Sequence, residues 1–116
     1  MTDDEYKDAV DRIVHQLEVA LIPFVPPKDE PNLLMIGNIL SMLVHSTLGP
    51  PSWAKDRCWP LALEIASGLL CSEVGIPRRM NLYPWLDEVK YERTALLDAA
   101  EQARGIVEDL LREASK

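Results

Sequence analysis

The feature that most constrains this chain is the stretch from Asn32 to Leu48, NLLMIGNILSMLVHSTL, whose apolar residues fall on nearly every side of a helix. Leu33, Leu34, Met35, Ile36, Ile39, Leu40, Met42, Leu43, Val44 and Leu48 leave few polar positions. A helix with no polar face is expected inside a protein, because water has nothing on it to solvate. Asn38, Ser41 and His45 interrupt it, and it falls short of the roughly 20 mostly apolar residues of a membrane crossing. Pro31 stands at a first-turn position and Gly49-Pro50-Pro51 closes the segment. The expectation is a soluble all-α domain packed around this helix.

The flanking sequence supplies three more helices. Thr2 to about Ile22 carries Tyr6, Val10, Ile13, Leu17 and Leu21 on one stripe. Thr2 and Glu5 form a capping-box pattern at its start. Residues 23–31, with four prolines, exclude a helix and read as a stiff linker. Ser52 suits the N-cap of a short turn, and a third helix runs from near Trp59-Pro60 to Glu73, ended by Gly75 and Pro77. Pro60 fits either the first turn or a kink in one longer helix. Pro84 opens a last helix that extends to Ala114. Its expected seam is Leu86, Val89, Arg93, Leu96, Ala100, Ala103, Val107, Leu110 and Ala114, widened by Trp85, Ala99, Ile106 and Leu111. Gly105 is a candidate bend in this long rod.

Short links favour antiparallel neighbours, so residues 1–116 are expected to form a single domain, an up-down four-helix bundle with a long C-terminal helix. That connectivity would put Arg78 and Arg79 beside Asp29 and Glu30 at one end. Trp53, Lys55, Arg57 and Trp59 would gather at the other.

The chain carries a net charge of −7, with 8 acids and 3 bases in residues 1–30, 3 and 4 in residues 31–81, and 8 and 5 in residues 82–116. An acidic surface argues against nucleic acid or an anionic membrane as main partner. Cys58 and Cys71 are too few for a disulfide framework, and MTDDEYKD is unlike a signal peptide. A cytoplasmic protein with reduced thiols is expected.

Catalytic constellations are sparse. His15 and His45 lack the Glu-x-x-His spacing of di-metal bundles and a zinc-ligand partner, so no metal or cofactor is expected. The acids Asp87, Glu88, Glu92, Asp98 and Glu101 lack the paired Glu-x-x-Glu and Glu-x-x-Asp spacing of helical Mg²⁺-dependent hydrolases. Asp87, Asp98, Glu101 and Glu108 are expected to face solvent, away from the seam. Glu64, inside the apolar run LALEIASGLL, is expected on the outer face of its helix, because buried unpaired charge is rare. Arg93, a charge at a seam position, is expected to pack its stem and reach water, or to meet an acid. No glycine loop for phosphate and no nucleophile elbow occurs. Cys58 has no histidine close in sequence to activate it.

Trp53, Lys55, Arg57 and Trp59 have the composition of an interface, although large aromatics also cap the apolar ends of bundles. The expected function is a small non-enzymatic interaction protein: an adaptor, inhibitor or regulatory subunit. It would act through those four residues and Arg93, with homodimerisation through the C-terminal helix as one form. Two other classes compete with it. One is a Mg²⁺-dependent nucleotide hydrolase using carboxylates of the last helix; the other is a small-molecule binder with an apolar pocket beside Met35, Met42 and Met80.

Overall fold

The computed structural model describes residues 1–19, 33–55, 58–73, 75 and 93–116. They contain helices α1 (Asp3–Val19), α2 (Leu33–Thr47), α3 (Trp59–Glu73) and α4 (Arg93–Ala114), with no strand among the described residues. The fold is an all-α helical bundle. Each helix packs on its neighbour in this order, and α1 closes the ring against α4. The linker at residues 23–31, Arg57, Arg78, Arg79 and the Pro84 start of the last helix lie outside the described residues.

Local chemistry sets several boundaries. At the start of α1, the Glu5 N–H donates to Thr2 Oγ1 at 3.1 Å and the Thr2 N–H donates to Glu5 Oε1 at 3.3 Å. This is the reciprocal capping box, which satisfies two donors that a helix start would otherwise leave free. Pro60 occupies the first turn of α3 and Gly75 follows its end with φ 74, so the proline starts a helix rather than kinking one. Helix α4, with 22 residues, is the longest of the four, and it runs through Gly105 as one α-helix.

Two expectations about the core change. Helix α2 is not enclosed on all sides: Leu40, Val44 and Leu48 are buried, but Met42 is 62% exposed. The enclosed helix is α3, with 10 buried residues out of 15. It lies between α2 and α4, and its most extensive interface is with α4. Small side chains permit that approach: Ala62, Ala66 and Ser67 on α3, and Ala99 and Ala103 on α4, are all fully or almost fully buried.

The seam of α4 differs in part from the expected one. Ala103, Val107 and Leu110, and the widening positions Ala99 and Ile106, are buried as expected, and Ala95 and Gln102 join the inward stripe. Leu96 is 46% exposed, and Ala100 faces out. A helix in a bundle touches two neighbours, so its inward face is wider than one heptad seam and can settle over the smaller residues. Of the methionines expected beside an apolar pocket, Met42 is 62% exposed; Met80 and the Met35 side chain lie outside the described residues.

Candidate functional site

The site grows from the turn that joins α2 to α3. Asp3 accepts hydrogen bonds at Oδ1 from the Ser52 hydroxyl at 2.7 Å and the Ser52 N–H at 3.2 Å. These bonds hold the Asp3 carboxyl below its ordinary pKa. Farther along, the Lys55 N–H donates to Gln102 Oε1 at 3.2 Å, and the Gln102 amide donates to Cys58 Sγ at 2.9 Å. Gln102 is buried and so ties the turn to α4. The turn is therefore anchored at one end to α1 and at the other to α4.

Trp53 stands between these anchors. Its ring meets Tyr6 edge-on at a centroid distance of 5.7 Å and Trp59 at 5.8 Å. Trp59 is itself 3% exposed, and its indole N–H donates to the Leu48 carbonyl at 3.1 Å. Beneath Trp53 lies Gly105: a Cβ placed there would sit 3.4 Å from Trp53 Cη2. The glycine provides a seat for an indole rather than a bend in α4. Trp53 remains 46% exposed.

Two clefts meet at this ring. The first, about 440 Å³, runs along α4 and is bordered by Lys55, Asp98, Glu101, Glu108 and Asp109. The second, about 570 Å³, lies towards α1 and mixes Asp3, Asp4 and Glu113 with Lys7, Arg112 and Lys116. Lys55 Nζ lies 2.9 Å from Asp98 Oδ2, which raises the lysine pKa. Asp109 accepts from the Tyr6 hydroxyl at 3.1 Å and from Arg112 at 3.0 Å. Burial, and then the Asp109 charge, push the Tyr6 phenol far up from its usual value.

The sequence-derived group is thus split. Trp53 and Lys55 share the first cleft. Trp59 belongs to the core and supports the surface from below. Arg57 and the Arg93 side chain lie outside the described residues. Asp98, Glu101 and Glu108, expected simply to face solvent, border the cleft. Tyr6, Gln102 and Asp109 were not legible as parts of a site. The lone glycine in an otherwise strongly helix-forming segment was the available clue to the Trp53 contact.

A second polar group lies between α2 and α3. Glu64, expected on an outer face, is 3% exposed. It is paired with His45, whose Nε2 lies 3.0 Å from Glu64 Oε2. No element near His45 in sequence supplies this acid; α3 brings it from 19 residues away. Cys58 and Cys71 are buried free thiols. Among the described residues, no three side chains of His, Cys, Asp or Glu converge as metal ligands, and no helix is long and apolar enough to cross a membrane. Asp98 and Glu101, the described members of the proposed Mg²⁺ set, border the Trp53 cleft; Asp87, Glu88 and Glu92 lie outside the described residues.

Comparison with known families, characterised proteins and solved structures finds no match. The class of molecule that fold and site define is an all-α bundle presenting a braced tryptophan between two charged clefts.

Proposed function

We propose that this chain is a small non-enzymatic interaction module that engages another protein through the surface around Trp53. The observation that carries the reading is the state of that residue. Its inner edge is fixed by Tyr6, Trp59 and Gly105, yet almost half of it meets solvent. A large aromatic held in place before binding loses little side-chain entropy when covered, and such residues dominate interface energetics. Adaptor, inhibitor and regulatory roles all use such a surface.

The test compares the intact protein with Trp53→Ala as baits in extracts of the native host, followed by calorimetry with the purified partner. The expected result is a partner bound by the first and lost by the second, with the helical circular dichroism of both unchanged. Identical partner sets for two folded baits would overturn the reading.

A second reading, self-association through α4, draws on the adjacent Leu96 and Leu97, which are 46% and 70% exposed. Burying such side chains between copies would be favourable. Light scattering tests it: a monomer at tens of micromolar in the intact protein removes it.

A further inference from the structure

Resting on the interaction reading above, we propose that the cleft beside Trp53 receives an arginine-bearing basic segment of the partner protein. Four carboxylates border this cleft (Asp98, Glu101, Glu108 and Asp109) against one ammonium, Lys55. Lys55 is already paired with Asp98, and Asp109 is held by Tyr6 and Arg112. Glu101 and Glu108 are exposed and form no salt bridge or hydrogen bond among the described residues. They are the charges left for a ligand.

Their spacing relates them to the indole. Trp53 rests on Gly105, with Glu101 one turn before that glycine and Glu108 one turn after it. Residues three and four apart on a helix share a face, with Cβ atoms about 5–6 Å apart. A planar cation laid on the outer face of Trp53 therefore has a carboxylate within reach on each side. Guanidinium suits this arrangement better than ammonium. It stacks on an indole, retains its charge, and directs paired N–H donors at carboxylates in its own plane. The neighbouring cleft does not select a cation in the same way, because Lys7, Arg112 and Lys116 nearly offset its acids. The net charge of −7 adds long-range attraction for a basic partner.

The test titrates the full chain at low salt with an acetylated, amidated hexa-arginine peptide, and with hexa-lysine as its counterpart. Binding is followed by NMR shifts of the indole N–H groups and the α4 amides. Saturable hexa-arginine binding is expected, with shifts centred on Trp53 and Gly105, and weaker binding of hexa-lysine. The variant E101Q/E108Q is expected to weaken hexa-arginine binding about tenfold. The control D8N/E18Q removes the same charge from the exposed back of α1 and is expected to leave the affinity unchanged. Equal weakening by the two variants would mean diffuse attraction and overturn the proposal. So would equal affinity for the two peptides, or no saturable binding. A Trp53-dependent partner indifferent to E101Q/E108Q would remove the arginine inference and leave the interaction reading standing. Site-specific hexa-arginine binding without any Trp53-dependent protein partner would remove the interaction reading, and with it the assignment of the cleft to a protein segment.

Discussion

Glu64 and His45 meet across the α2–α3 interface at 3.0 Å, and the two ends of this contact differ in their access to water: the His45 side chain is 28% exposed and that of Glu64 4%. His45→Leu removes this hydrogen bond from a buried acceptor and is expected to cost about 0.5–1.5 kcal/mol, the net worth of one such bond. Urea denaturation checks it; an unchanged midpoint for the folded variant would contradict a stabilising contact.

Gly105 sits where an added methyl group would only touch the Trp53 ring, at 3.4 Å. Alanine also favours a helix interior over glycine by about 0.5–1 kcal/mol. Gly105→Ala is therefore expected to stabilise the protein by up to about 1 kcal/mol with the Trp53 environment preserved. Gly105→Leu is expected to displace the indole, seen as a red shift in tryptophan emission. Destabilisation by alanine would show that the seat is tighter than this contact implies.

Gln102 and Lys55 both bridge the turn to α4, but at different depths. The Lys55–Asp98 ion pair is solvated, so Lys55→Met is expected to leave stability almost unchanged. Gln102 is 7% exposed and accepts the Lys55 N–H. Gln102→Leu leaves that donor without its acceptor and is expected to cost about 1–3 kcal/mol. Thermal melts of the two variants separate the cases, and equal losses would refute the argument from burial.

Tyr6 is 4% exposed and its hydroxyl donates to Asp109. Its pKa is raised by burial and then by the Asp109 charge, so the folded state holds the phenolic proton more tightly than the unfolded chain. The corresponding stability is complete below about pH 10, the ordinary tyrosine value, and is lost as pH rises above it. Absorbance titration of the native protein and of Tyr6→Phe should show the same number of tyrosines ionising near pH 10, because Tyr6 does not ionise there. Tyr6→Phe is expected to cost about 1.5–3 kcal/mol, the range for a hydrogen bond to a charged group. Full ionisation of Tyr6 in the native protein near pH 10 would be inconsistent with the buried contact.

What the sequence determined by itself was local. The Thr2–Glu5 cap, the start of α3 at Trp59-Pro60, its end at Gly75 and the apolar stripe of α1 each depend on residues within one or two turns, whose spacing is written in the chain. The all-α class follows from the same periodicities. Tertiary structure alone decided which helix is enclosed, because α2 and α3 are similarly apolar and, of the two, α3 is the one packed extensively against α4. It also turned Leu96 and Ala100 out of the inward face of α4 and Ala95 and Gln102 into it, buried Glu64 by bringing it His45, and split Trp53 from Trp59 by depth. A charge on a helix can be buried when a partner arrives from elsewhere in the chain, and an indole stays at the surface when a glycine on another helix seats it there. Those partners are separated by 19 residues for the His45–Glu64 pair and by more for the indole, beyond the reach of any local pattern.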